Sequence, residues 1–109
     1  DNHANFFNDV FIDRFTDAEP IADEIVTGPI ATNTLQREII DFAGPAGVAA
    51  FQAVLGIAGV RCRQLDTYAY ALVEVDADAG TATVSLRDET QAVLADFGDP
   101  TVPCLHVIE

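Results

Sequence analysis

Two residues near the start of the chain, Asp1 and His3, have side chains that bind metal ions. A carboxylate and an imidazole two positions apart lie on the same side of an extended segment, so both can point at one cation. Asn2 or Asn5 can add a carbonyl oxygen or a hydrogen bond. The spacing indicates metal binding, but such a triplet also arises by chance and has too few ligands for a complete enzyme.

Nucleophilic catalysis has less support, because a serine or cysteine nucleophile needs a histidine base and an orienting acid. Cys62 lies between Arg61 and Arg63, which would favour a thiolate, yet the histidines are His3 and His106, at opposite ends of the chain. We expect Cys62 to be a buried thiol or half of a disulfide. We expect His106, which lies in an apolar run, to be a packed or surface histidine.

The two cysteines, Cys62 and Cys104, are 42 positions apart and have no neighbour at zinc-finger spacing. Two alternatives stay open: a disulfide, if the protein is exported to an oxidising compartment, or two buried free thiols.

The segment from Asp76 to Gly80 begins like a calcium-binding loop. An EF-hand needs glycine at its sixth position and an acid at its twelfth, and those positions are Thr81 and Arg87. We interpret the segment as a hairpin turn. The glycines of the chain form neither a P-loop nor a dinucleotide-binding pattern.

The charge balance excludes several partners. The 109 residues include 18 Asp and Glu against five Arg and no Lys, giving a net charge of -13. Such a surface repels nucleic-acid backbones and anionic lipids. No stretch approaches the roughly 20 apolar residues of a membrane-spanning helix. We expect one folded segment that neither binds nucleic acid nor inserts into a membrane. The negative charge would serve solubility or a high-salt habitat; the alternative is a cation-binding surface.

The first third of the chain favours extended structure. Residues 5–15 are rich in β-forming residues and are predicted to be extended. An acidic loop over residues 16–23 follows, and Glu24 to Thr27 form a short strand that Gly28 and Pro29 end.

Two helices come next. The first begins at Thr32 or Asn33 as N-cap and ends at Gly44; the second opens at Pro45 and ends at Gly59. Each has an apolar face of three side chains: Leu35, Ile39 and Phe42 in the first, and Val48, Phe51 and Leu55 in the second.

A β-hairpin is the strongest local pattern, with arms at 67–75 and 81–86. The first arm is the more apolar, so we expect it inside the sheet and the second arm nearer an edge. Residues 91–95 are predicted to form a helical turn. Residues 102–108 form a last strand, which Pro103 confines to an edge or to irregular structure.

Three segments, taken in order, resemble the C-terminal end of PhoD-like alkaline phosphatases, which are metal-dependent phosphoesterases of the calcineurin-like superfamily. The segments are DNHANF at 1–6, IVTGPIATNT at 25–34 and LDTYAYALVEVD at 65–76. In that family a G-D-x-H motif near the end of the catalytic domain is followed by a T-G/S-x-I-type turn and then by an aromatic-rich strand leading into a closing hairpin. The likeness covers roughly residues 1–88.

The resemblance implies that Asp1 and His3 match the acid and imidazole of that motif, with His3 a ligand of the catalytic metal centre. The glycine before the motif and the upstream motifs that supply most ligands are not in this chain. The family implies iron or calcium as cofactor, phosphate esters as substrates and a periplasmic or extracellular location. Export would favour the disulfide between Cys62 and Cys104.

We therefore predict an α+β fold, with two short helices packed with a β-hairpin and short strands, as the C-terminal fragment of a metallophosphoesterase β-sandwich. Residues 1–32 would end the catalytic core, 33–60 form the helical pair, and 61–109 form the closing hairpin and tail. Its partner would be the remainder of its own catalytic domain, and we expect an N-terminal part to precede Asp1. The alternative is a non-catalytic α+β binding or structural module, whose hairpin face docks a partner through Tyr68, Tyr70 and Leu72.

Overall fold

The computed structural model describes residues 3–29 and 31–109 and shows an α+β fold with two helices and two three-stranded antiparallel sheets. In chain order the elements are β1 (Asn5–Val10), β2 (Ala22–Val26), α1 (Leu35–Ala43), α2 (Pro45–Ile57), β3 (Arg61–Gln64), β4 (Tyr70–Asp76), β5 (Thr81–Arg87) and β6 (Leu105–Ile108). None of the helices in this described part has the length and apolar composition that crossing a bilayer requires.

The first sheet has the order β2-β1-β3. The predicted extended segment over 5–15 forms a strand only as far as Val10, because the carbonyl and carboxylate of Asp13 then accept hydrogen bonds from Asp17 and Phe15 and turn the chain. The sequence analysis did not predict β3, which is four residues long and pairs irregularly with β1.

The second sheet has the order β4-β5-β6, which makes the predicted placement of the hairpin arms wrong. The second arm, β5, is the central strand, with Val84, Ser85 and Leu86 buried in succession on both of its faces. The more apolar arm, β4, is the edge strand and is largely exposed. The last strand, β6, lies at the other edge, as predicted, but it begins at Leu105 and does not include Pro103.

The hairpin turn itself is as predicted. One carboxylate oxygen of Asp76 accepts the backbone N–H groups of Asp78 and Ala79, at 3.0 Å each. Gly80 then has a φ of 69°, a conformation that side chains with a Cβ disfavour.

Capping residues and a proline set the boundaries of the two helices. Thr34 is the N-cap of α1, two residues after Thr32 and one after Asn33, the predicted candidates, and it accepts the N–H of Arg37. Gly44 ends α1 with a φ of 73°, and Pro45 opens α2. Helix α2 lies against β3 through Gln52, whose amide donates to the carbonyl of Arg63 at 3.3 Å.

The core joins the two sheets. Its buried members are Phe7, Cys62, Val84, Leu86 and Cys104, the first two from the first sheet. Cys62 and Cys104 form a disulfide with their Cα atoms 5.3 Å apart, which decides between the two alternatives for the cysteines.

Residues 91–95 do not form the predicted helical turn. Leu94 instead donates its backbone N–H to the carbonyl of Leu86, accepts the N–H of Cys104 and packs on the core. Asp88 begins the segment, and the Thr90 hydroxyl that donates to its carboxylate holds the pKa of Asp88 below its usual range.

Candidate functional site

His3 lies just before β1 and is paired with an acid that the sequence analysis did not single out. Its Nδ1 atom is 3.0 Å from Oε1 of Glu38 in the first turn of α1, and its side chain is only 17% exposed. The carbonyl of His3 also accepts the N–H of Leu35 at 2.6 Å. The histidine is therefore fixed to the start of α1 through both its backbone and its side chain. The other predicted ligand, Asp1, lies outside the described residues.

Asn5 ties the start of β1 to two other segments. Its side chain is fully buried, its Nδ2 donates to the carbonyl of Thr67 at 2.7 Å, and its Oδ1 accepts the N–H of Gly28 at 2.6 Å. Gly28 fits there because a Cβ would lie 3.0–3.1 Å from Ala4 and Asn5 atoms. Asn5 is thus a structural amide and points into the fold.

The second and third segments are joined to each other by Asp66. One of its carboxylate oxygens accepts the hydroxyl of Thr34 at 2.7 Å, and the other accepts the amide of Gln36 at 3.0 Å. Nearby, the hydroxyl of Tyr68 donates to the carbonyl of Thr32 at 3.0 Å. The start of α1 is consequently held against the segment that follows β3.

These contacts bring together parts of the three segments 1–6, 25–34 and 65–76. We call the region the segment junction and define it by His3, Asn5, Gly28, Thr34, Glu38, Asp66 and Thr67. Its members come from three separate parts of the chain, and hydrogen bonds and the His3–Glu38 ion pair connect them. Spacing alone could not have identified Glu38 or Asp66, because neither lies in a pattern with His3.

The donor chemistry of the junction suits one ligand of a metal centre. A partly buried imidazole beside a carboxylate is a common arrangement for a coordinating histidine. Across residues 3–29 and 31–109, however, no three His, Cys, Asp or Glu side chains form a group that could hold a metal ion. A complete centre would need ligands from outside the described residues.

A second polar group, which we call the Arg61 cluster, comprises Asp9, Asp23, Arg61 and His106. Arg61 Nη2 is 2.6 Å from Oδ1 of Asp9, and His106 Nε2 is 3.0 Å from Oδ1 of Asp23. The cluster lines an open groove of about 800 Å³ and links the two sheets. His106 also packs against Phe7, with ring centroids 6.1 Å apart, in agreement with the predicted packed or surface histidine.

The neighbours of Cys62 do not activate it. Its sulfur is bonded to Cys104, and the guanidinium of Arg61 is directed to Asp9. Arg63 donates from Nη1 to the carbonyl of Gln52. A thiolate nucleophile at Cys62 is therefore excluded in the oxidised protein.

Comparisons of the chain with protein-family models, with curated proteins and with solved structures found no match.

Proposed function

We propose that this chain is the C-terminal part of a PhoD-like metal-dependent phosphoesterase, in which His3 is a ligand of the catalytic metal centre and Asp1 a second one. The observation that supports the proposal most is the segment junction. The three segments that carry the resemblance meet at Asn5, whose amide contacts Gly28 and Thr67.

The chemistry proposed is hydrolysis of phosphate mono- or diesters. Bound iron or calcium ions would polarise the phosphoryl oxygens and lower the pKa of a coordinated water. With a net charge of -13, the chain itself would repel an anionic ester, so cations are required for attraction. The role of this chain is to hold the His3 imidazole in place, while the remaining ligands come from the rest of the catalytic domain.

The partner we propose is that remainder of the domain. Large apolar side chains are exposed on the helices and on β4, among them Phe42 at 95%, Ile57 at 89% and Val75 at 75%. We infer that the remainder of the domain covers these side chains. A location in the periplasm or outside the cell accords with the disulfide, because oxidising compartments maintain such bonds.

The test is phosphatase activity of the complete protein that contains this chain. We expect hydrolysis of p-nitrophenyl phosphate or bis(p-nitrophenyl) phosphate in the presence of iron and calcium, and a loss of at least about 100-fold in His3→Ala, because changes to residues that merely orient a metal ligand cost about 10- to 100-fold. His106→Ala is the matched control and should retain activity, since His106 is paired with Asp23 in the Arg61 cluster. Full activity in His3→Ala would refute the role of His3.

The non-catalytic binding or structural module remains the alternative. The same exposed apolar side chains favour it, because a docking module also needs an uncovered surface. The two proposals differ for the isolated 109-residue chain. A monomer with a cooperative unfolding transition supports the module, whereas a fragment that lacks its packing partner should self-associate.

A further inference from the structure

We propose that a small cavity at the start of β4 binds the lysine side chain of an extended basic peptide. The cavity, which we call the tyrosine cavity, has a volume of about 180 Å³ and is lined by Tyr68, Ala69, Tyr70 and Glu89. None of these four residues belongs to the segment junction or to the Arg61 cluster. The inference therefore goes beyond the proposed function and does not depend on metal chemistry.

The walls of the cavity are almost entirely apolar, and two aromatic rings supply most of them. Tyr68 and Tyr70 are 46% and 40% exposed, so both rings are accessible to a ligand. The hydroxyl of Tyr68 donates to the carbonyl of Thr32 at 3.0 Å, which holds that ring in place before a ligand arrives and lowers the ordering cost of binding. Because the face of a tyrosine ring attracts cations, the cavity suits a group with an apolar stem and a positive end.

The charge of the cavity points to the same ligand. Glu89 is the charged member of the lining, and no side chain of the described residues forms an ion pair with it. Its turn is held in place by the carboxylate of Asp88, which accepts the N–H groups of Thr90 and Ala92 at 2.8 and 3.1 Å.

The countercharge for Glu89 is not supplied from within the described part of the chain. No arginine there lines the cavity, and the sequence has no lysine. A chain with a net charge of -13 also attracts basic partners and repels acidic ones over longer distances. We infer that the cation comes from another molecule.

The size of the cavity favours lysine among the cationic side chains. At roughly 30 Å³ for each water-sized group, 180 Å³ holds about six such groups. The four-carbon stem and compact ammonium of lysine fit this space, with the stem along the rings and the ammonium at Glu89. The planar guanidinium of arginine is larger, so we expect arginine to bind more weakly.

An extended peptide is the expected carrier of the lysine, because the cavity lies beside an edge strand. Among the described residues, β4 pairs with β5 on one side and has no partner strand on the other. A peptide can add to such an edge through its backbone and direct every second side chain towards a pocket. Val75 lies about 17 Å along the strand from Tyr70, so a short peptide at the cavity leaves the far end of β4 free for the remainder of the domain.

The experiment uses the fluorescence of the cavity itself. The chain has two tyrosines and no tryptophan, and both tyrosines line the cavity. We expect a saturable change in tyrosine fluorescence when the chain is titrated with the acetylated and amidated peptide Thr-Val-Lys-Val-Thr. The same peptide with norleucine in place of lysine keeps the stem without the charge and should bind about 10-fold more weakly.

Three substitutions test the residues of the cavity, with circular dichroism as the check of the fold. Glu89→Gln removes the charge and Tyr70→Leu removes a ring, and each should weaken binding of the lysine peptide about 5-fold. Tyr70→Phe keeps the ring and should bind as the unsubstituted chain does. Glu74→Gln is the matched control, because Glu74 is about 13 Å along β4 from Tyr70, beyond the screening length of about 8 Å at physiological ionic strength.

The absence of a saturable change, or equal affinities for the lysine and norleucine peptides, would overturn the inference. So would binding that is unaffected by Glu89→Gln, or an equal loss in Glu74→Gln, which would indicate general attraction to an acidic surface. An arginine peptide that binds at least as tightly as the lysine peptide would overturn the choice of lysine. Binding of n-butylammonium as tight as that of the peptide would overturn the assignment to a peptide.

Discussion

Asn5 is the single residue on which the segment junction depends most. Its amide connects β1 to Gly28 and Thr67, and it is completely buried. Replacing it with alanine leaves a buried N–H and a buried carbonyl without partners, and each such group costs about 1–3 kcal/mol. We expect Asn5→Ala to lower the free energy of unfolding by about 3 kcal/mol, as measured by urea denaturation.

Asn8→Ala in the same strand is the control, because the amide of Asn8 donates to the exposed carboxylate of Glu24, at 3.3 Å. Its effect should stay within about 0.5 kcal/mol. Similar losses in the two variants would show that the junction contributes no more than a surface contact.

The residue types at the junction were predictable only in part. The sequence indicated that Asn5 lies near a possible metal ligand, and the structure places it there, but as a buried link between segments. Its burial follows from strand alternation, which puts Asn5 on the same face as Phe7. The pairing of His3 with Glu38 could not be predicted, because it depends on how α1 folds back on β1.

Among the elements, the helices were predicted better than the sheets. Gly44 and Pro45 act within one or two turns of the chain, so their effect can be derived from local chemistry, whereas the N-cap is Thr34 and not the predicted Thr32 or Asn33. Strand order depends on distant pairing. The apolar composition of β4 favoured a central position, yet β6 pairs with β5 and leaves β4 at the edge.

The corrected strand order makes a testable prediction for two valines in the hairpin. Val84 in β5 is 1% exposed, whereas Val75 in β4 is 75% exposed. Val84→Ala should lower the free energy of unfolding by about 2 kcal/mol, because it removes buried methyl groups and leaves a cavity. Val75→Ala should change it by no more than about 0.5 kcal/mol. Chemical denaturation of both variants measures the change in the free energy of unfolding. A larger loss in Val75→Ala than in Val84→Ala would support the predicted position of β4 inside the sheet.

Over the whole molecule, the helical repeat of apolar residues identified the apolar faces of the helices but not the elements that cover those faces. Phe42 was predicted on the packed face of α1, and it is almost fully exposed. A helical repeat shows which side chains share a face, while their burial depends on a neighbour that the repeat does not specify. The proposed remainder of the catalytic domain would be that neighbour.

The disulfide between Cys62 and Cys104 contributes at this largest scale, because it joins the two sheets through the centre of the core. It closes a loop with a sequence separation of 42, and in the chain-entropy model a loop of that size corresponds to about 4 kcal/mol. The buried cluster it belongs to is small, so the sheets have few other contacts to hold them together.

We expect reduction to lower the free energy of unfolding by about 2–4 kcal/mol, measured by urea denaturation with and without a phosphine reductant. The double variant Cys62→Ala/Cys104→Ala should start at the lower stability and be insensitive to the reductant, which separates loss of the bond from effects of the reagent. Equal stability of the oxidised and reduced chains, with free thiols confirmed by mass spectrometry, would mean that the sheets are held together without a contribution from the disulfide.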